Sequence, residues 1–247
     1  MAAEKNKNMN MLHSGNMHFL YDPTLIDDVS DTALFEHEES LMLAAQLVKS
    51  TAQGRGEAVF FKYKDLSLVY KHYQRGGLVA RILHDQYFGI KLETTRAFRE
   101  WCLLRELQLL DLSSPVPVAA RVIRSGLLYR ADLVMREIEN TATLADLCFK
   151  TAVEAETWFN VGQCIKRFHD HDVYHADLNA RNILIGKDGM VYLLDFDKGC
   201  FRHSNDSWKA SNLSRLNRSL VKFQSSDKPF HYKGNNWDQL LSGYSGG

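Results

Sequence analysis

Apolar residues recur with two different periods along the chain, and the order in which the period changes sets the expected architecture. Residues 31–53, "DTALFEHEESLMLAAQLVKSTAQ", carry apolar positions at helical spacing and stop before Gly54, which predicts a helix. Two strands are predicted next, "EAVFFKY" and "LSLVYKHY", turning at Lys64 and Asp65. A helical region begins after "QRGGL". Its strongest part, "TTRAFREWCLLRELQLLDL", sets Trp101, Leu104, Leu107 and Leu110 near one face. Pro115 and Pro117 end that helix and precede three strand-like runs, up to "YRADLVMREI". From Thr141 the pattern is helical again, through "TLADLCF" and "AVEAETWFNVGQCIKRFHDHDV". "NILIG" and "MVYLLDF" read as two strands around the turn "KDG". Helices are predicted near 206–223 and in "NWDQLLSGY", while residues 1–16, polar and rich in methionine and asparagine, are expected to be disordered.

A strand-rich half with one major helix is thus followed by a helix-rich half, an α+β pattern with a lobe boundary expected around Glu139–Thr141. The expected divisions are an N-terminal segment, 1–30, a first lobe, 31–140, and a second lobe, 141–247. Composition adds little: 45% hydrophobic and 24% charged residues are ordinary for a globular chain. A net charge of zero supplies no global basic field for nucleic acid. The four cysteines form no C-x-x-C pair and are expected to be reduced and buried. No stretch approaches the ~18 continuous apolar residues of a membrane span, and the N-terminus lacks the apolar core of a signal peptide. A cytosolic chain with at most surface contact to a membrane is expected.

Chemistry concentrates in "YHADLNARNILIGKDGMVYLLDFDKG". His175, Asp177, Asn182 and Asp195 fall at offsets 0, +2, +7 and +20, with the predicted hairpin between them. The hairpin would put Asp177 and Asn182 on its entering loop and Asp195 at its exit. Two carboxylates and an amide oxygen are hard donors, which suit Mg²⁺ shared with substrate phosphates. An aspartate beside them can accept a hydroxyl proton. Asp and Asn also turn loops without any chemistry. Four named residues at fixed offsets nevertheless arise by chance in only about one in several hundred chains of this length.

"HADLNARN" followed by "LLDFD" resembles the catalytic loop and metal-binding motif of the protein-kinase-like fold. The resemblance implies a bilobal α+β fold, Asp177 as catalytic base, Asn182 and Asp195 as Mg²⁺ ligands, and His175 as a structural residue. It also implies ATP, with Gly54 and Gly56 approaching its phosphates just before a strand, and a cation gripping them late in the next strand. Lys71 fits that cation better than Lys62 or Lys64, since it alone sits inside an apolar strand. Its partner is expected to be Glu100, with Glu93 and Glu106 as alternatives. The backbone of Glu137 and Ile138 falls where the adenine would be read. Two departures point away from a regulated protein kinase: Ala176 replaces an arginine and Asp197 replaces the glycine of the metal triplet.

Only 48 residues follow Gly199, too few for an activation segment and a peptide-holding helical lobe, so a small or headgroup-like hydroxyl acceptor is expected. "KHYQRGGL", "TRAFREW", "PVPVAARV", "YRADLVM", "HADLNARNIL", "LLDFDKG" and "NLSRLNRSL" together resemble the bacterial Kdo kinase family, lipopolysaccharide kinases acting on the 4-hydroxyl of 3-deoxy-D-manno-octulosonic acid (Kdo) on a lipid A precursor. Family members often carry arginine at the position of Lys71; either cation can bind phosphate. The acceptor is anionic, and residues 207–233 hold six Lys and Arg against Asp227 alone. Arg215, Arg218 and Lys222 share one helical face, opposite Leu213, Leu216 and Leu220. Arg215, Arg218 and Arg75, with Arg81 beside it, are therefore candidate acceptor contacts. The resemblance implies work at the cytoplasmic face of the bacterial inner membrane, with no nucleic acid and no protein partner. Other small-molecule kinases of this fold, aminoglycoside-type or RIO-like, and a nucleotide-binding pseudokinase platform are the alternatives.

Overall fold

A computed structural model describes residues 9–37, 58–73, 87–88, 91–203 and 205–246. The chain divides into two units, Met1–Glu106 with Val116–Glu137, and Leu107–Pro115 with Ile138–Gly247. The division thus falls at Glu137, just ahead of the expected boundary. It is mixed α and β, as the alternating periods require.

The first unit is built on an antiparallel sheet. Its strands are β1 (Asn10–Ser14), β2 (Met17–Tyr21), β3 (Ala58–Tyr63), β4 (Leu66–His72), β5 (Tyr87–Phe88), β6 (Pro117–Ser125) and β7 (Leu128–Arg136). Spatial order is β1-β2-β6-β7-β4-β3, with β5 also paired to β7. The β3–β4 hairpin turns at Lys64, whose φ is 51°, and at Asp65. Alternation along β4 buries Leu68, Tyr70 and His72 on one face and leaves Val69 and Lys71 half-buried on the other. Leu68 and Tyr70 join Phe19, Ile26, Val29, Leu34, Phe35 and Val134 in one apolar cluster. α1 (Arg96–Leu109) buries Ala97, Phe98, Glu100, Trp101, Leu104 and Leu107.

Several sequence expectations need correcting here. Residues 10–14 are a strand, not disordered; every side chain of β1 is exposed, so no apolar alternation marks it, and its backbone pairing with β2 holds it in place. Of the helix expected over 31–53, residues 32–34 form a 3₁₀ turn capped by Asp31, and the remainder lies outside the described residues beyond His37. Leu110 follows the end of α1 and is 37% exposed; Leu112 is buried instead. The three strand-like runs are two long strands, β6 and β7, turning at Gly126 with φ 62°. Thr141 opens a short strand, not a helix.

The second unit contains β8 (Thr141–Thr143), α2 (Leu144–Lys150), α3 (Ala155–Asp170), β9 (Val173–Tyr174), β10 (Ile183–Gly186), β11 (Val191–Leu193), β12 (Cys200–Phe201), α4 (Asp206–Gln224) and α5 (Gly234–Ser245). β10 and β11 form the expected antiparallel hairpin, with β8 on its other edge. Thr143 caps α2 by accepting from the Asp146 N–H. All four cysteines are free; Cys148 and Cys164 are buried, and burial pushes both thiols up to about 12, but Cys102 is on the exposed side of α1. Among the described residues no helix is long and apolar enough to cross a membrane.

α3 and α5 meet backbone to backbone. A Cβ on Gly162 would lie 2.0 Å from the Leu240 carbonyl oxygen, and one on Gly243 would lie 2.0 Å from that of Phe159. Alanine at a helical glycine normally stabilises by about 0.5–1 kcal/mol. Here Gly162→Ala or Gly243→Ala should instead destabilise by roughly 2 kcal/mol, because the helices must part. Thermal unfolding checks the sign: a midpoint raised by either substitution would contradict the contact.

Candidate active site

β9 leads into the loop 175–182, and β10 takes the chain away from it. The apolar side chains of Leu178 and Ala180 are fully buried and pin the loop from below. The Ala180 N–H donates to Ser219 Oγ of α4 at 3.2 Å, and its carbonyl accepts from the Ala145 N–H at 3.0 Å. With those two anchored, the polar residues between them are turned outward.

The His175 ring is committed at both nitrogens. Nε2 donates to the Leu194 carbonyl at 2.7 Å, and Nδ1 accepts from the Asp177 N–H at 3.2 Å. Only a neutral imidazole with its proton on Nε2 can do both. One buried ring therefore joins the Asp177 loop to the segment that ends at Asp195. Asn182 adds a second tie. Its Nδ2 donates to the Asp177 carbonyl at 2.9 Å, and its backbone carbonyl accepts from the Leu194 N–H at 2.9 Å.

With its backbone held this way, the Asp177 carboxylate is 62% exposed. Asn179 Nδ2 donates to Oδ2 at 3.2 Å, and Arg215 of α4 stands 3.8 Å from Oδ1. Since the Asn182 amide nitrogen is spent on the loop, its oxygen is the atom left to face a ligand. Asp195 is exposed and has φ 63°, a left-handed conformation that Asp tolerates better than most residues. An amide oxygen and a carboxylate are the donor types that fit a hard cation. Among the described residues no cluster of three or more His, Cys, Asp or Glu converges.

α4 supports the loop from behind. Its buried stripe is Trp208, Asn212, Leu216 and Leu220, with Leu213 only half-buried. Asn212 accepts from the His175 N–H at 3.2 Å and donates to the His175 carbonyl at 2.9 Å. Its Oδ1 also accepts from His169 Nε2 at 3.4 Å, and His169 Nδ1 accepts from the Tyr244 hydroxyl at 2.8 Å. Burial lowers the His169 imidazole to about 4, against the opposing pull of Asn212, so it is neutral at physiological pH. Three helices thereby reach the loop 175–182 through one chain of hydrogen bonds. Sequence reasoning missed Asn212, His169 and Tyr244. The available signal was an asparagine on the apolar stripe of a helix, because a buried amide must find partners.

In the first unit the structure brings Lys71 and Glu100 together. Lys71 Nζ lies 3.1 and 3.0 Å from the two Glu100 oxygens, whereas Lys64 pairs with exposed Asp27 and Lys62 is exposed. Glu100 is 2% exposed, and the Tyr73 hydroxyl also donates to it. A second cluster, which the sequence did not suggest, occupies the opposite face of β4. Asp132 accepts from His72 at 2.6 Å, Tyr70 at 2.7 Å and Arg121 at 2.8 Å. Burial alone would raise the Asp132 carboxyl, but His72, Arg121 and Tyr70 together hold it below its ordinary value. The Glu137 N–H donates to the Ser67 carbonyl at 2.9 Å, so any role of that residue toward a base falls to its carbonyl. Gly54, Gly56, Arg75 and Arg81 lie outside the described residues. Arg218 is exposed on α4, one turn beyond Arg215.

Comparison with known proteins follows the same lines. The lipopolysaccharide kinase (Kdo/WaaP) family matches residues 40–244. A 3-deoxy-D-manno-octulosonic acid kinase of Photobacterium profundum is 38% identical over 229 residues, 93% of this chain and 95% of the relative. The protein of the same name from Haemophilus influenzae is 34% identical over 244 residues, covering 96% and 99%. That from Mannheimia succiniciproducens is 40% identical over 201 residues, covering 78% and 83%.

Replacing Asn212 by alanine removes both of its bonds to the buried His175 backbone. We expect kcat to fall roughly 10- to 100-fold, the equivalent of leaving such groups unsatisfied, with the KM for ATP little changed. Steady-state kinetics check this, and a kcat within twofold of wild type would show that the bonds do not position the loop.

Proposed function

The chain belongs to the lipopolysaccharide kinase (Kdo/WaaP) family, and on that premise we propose that it transfers the γ-phosphoryl group of ATP to the 4-hydroxyl of Kdo on a lipid A precursor, in lipopolysaccharide core biosynthesis. The observation that carries the reading is the Asp177 carboxylate, exposed to an acceptor while its backbone is locked by a neutral histidine.

Asp177 orients the Kdo hydroxyl and takes its proton as the new oxygen–phosphorus bond forms. Lys71, aligned by Glu100, grips the α- and β-phosphates; Gly54 and Gly56 approach the phosphates with backbone amides, and the segment at Glu137 and Ile138 meets the adenine. The Asn182 amide oxygen and the Asp195 carboxylate would hold Mg²⁺, which would neutralise phosphate charge. Most of the rate gain then comes from positioning and charge stabilisation. Arg215, Arg218 and Arg75 meet the anionic groups of the acceptor. Arg215 has a second effect, since it places a positive charge beside the proposed base. The acceptor is a lipid, so the enzyme works as a peripheral protein on the cytoplasmic face of the inner membrane.

The test is phosphate transfer from labelled ATP with Mg²⁺, offering Kdo-lipid A precursor, free Kdo and an aminoglycoside. Transfer to the Kdo-lipid is expected. Asp177→Asn should reduce it by about 10²–10⁴-fold, with nucleotide binding largely intact. Transfer to the aminoglycoside alone, or undiminished transfer by the variant, would overturn the substrate or the base respectively.

A further inference from the structure

Beyond its contact with Asp177, α4 continues for more than two turns, and Val221 and Lys222 on that part of the helix have no role in the chemistry above. Arg218, Val221 and Lys222 share one face there, at spacings of three and four, and all are exposed, Val221 by 47%. Beside that face lies an aromatic cluster contributed by three segments. Ring centroids of Phe149 and Phe230 are 4.9 Å apart, those of Phe223 and Phe230 5.4 Å, and those of Phe149 and Phe223 5.6 Å. All three rings are only half-buried. The Arg181 guanidinium stacks over Phe223 at 5.1 Å, exposed Lys150 follows Phe149, and exposed Lys228 precedes Phe230 by two residues.

We propose that this end of α4, with the Phe149–Phe223–Phe230 cluster, docks on the anionic lipid surface in which the acceptor is embedded. The inference rests on the lipid acceptor proposed above. Basic side chains around half-exposed aromatic rings and an exposed valine are the composition of an interfacial contact: the cations meet headgroups while the rings and valine enter the acyl boundary. A soluble anion would use the cations and leave the rings without a purpose. Seven residues of helix separate Arg215 from Lys222, about 10 Å along the axis. A surface gripped at Lys222 therefore leaves about 10 Å of helix before the residue that stands beside Asp177, room for a hydroxyl carried on a sugar projecting from the bilayer. Arg218 falls between the two, placed to meet anionic groups at the base of that sugar.

Sedimentation of the full chain with vesicles tests the surface directly. Wild type should bind vesicles of phosphatidylethanolamine and phosphatidylglycerol, and bind phosphatidylcholine vesicles poorly. The double variant Val221→Asp, Lys222→Glu should lose at least about fivefold in binding, since it reverses one charge and sets a second carboxylate against the anionic surface. Its kcat/KM should fall comparably on vesicle-embedded Kdo-lipid A precursor and stay within twofold of wild type on a water-soluble Kdo glycoside. Unchanged vesicle binding by the variant, or wild type failing to bind anionic vesicles, would overturn the proposal. So would an equal loss on both acceptors, which would mark damage to the site itself. If wild type phosphorylates neither acceptor, the proposed function fails, and sedimentation still decides the docking surface on its own. Unchanged thermal unfolding of the variant, both positions being exposed, excludes loss of fold as the cause.

Discussion

The arrangement of the segment from His175 to Asp195 depends on one neutral imidazole. His175 has a single proton to give and a single lone pair to offer, and both are used on backbone atoms of two different loops. Were the ring protonated it could no longer accept from the Asp177 N–H. Everything that keeps it buried therefore bears on the position of Asp177. Phe196 lies against the ring, with centroids 4.8 Å apart, and Asn212 satisfies the histidine's own backbone. The side chain that does the proposed chemistry is exposed, yet its position is decided by buried groups that never touch substrate.

The helical packing of the second unit serves that constraint. α5 approaches α3 so closely at Gly162 and Gly243 that neither position has room for a methyl group. That approach sets Tyr244, the next residue, against His169, whose other nitrogen faces Asn212. α5 is thus connected to the loop 175–182 by side-chain hydrogen bonds. In the first unit the comparable element is the Lys71–Glu100 pair, a buried carboxylate holding a half-buried ammonium in place. Such pairs are costly to break because one charge would be left alone in the interior.

Much of this was legible in the chain. The β3–β4 and β10–β11 hairpins, the helices after residue 95 and the offsets of His175, Asp177, Asn182 and Asp195 all follow from period and turn chemistry. Glu100 could be preferred over Glu93 and Glu106 as the partner of Lys71. Other features left no local signal. β1 is an edge strand with both faces exposed, so its side chains show no alternation and its pairing is made by backbone alone. Asn212 looks like any polar residue on a helix until its partners are known, and those come from His175 and His169, 37 and 43 residues away in sequence. The pairing of the Glu137 N–H with the Ser67 carbonyl, just past the end of β7, likewise had no signal in the chain. Long-range satisfaction of buried polar groups is what sequence period does not encode.

The central claim is that an exposed aspartate, held by a neutral histidine, directs phosphate to one hydroxyl of a lipid-borne sugar. The most direct measurement is the position of the phosphate in the product, read by phosphorus–proton correlation NMR after reaction with Kdo-lipid A precursor. A correlation to the proton on carbon 4 of Kdo is the predicted result. A correlation to the glucosamine backbone or to another Kdo carbon would contradict it.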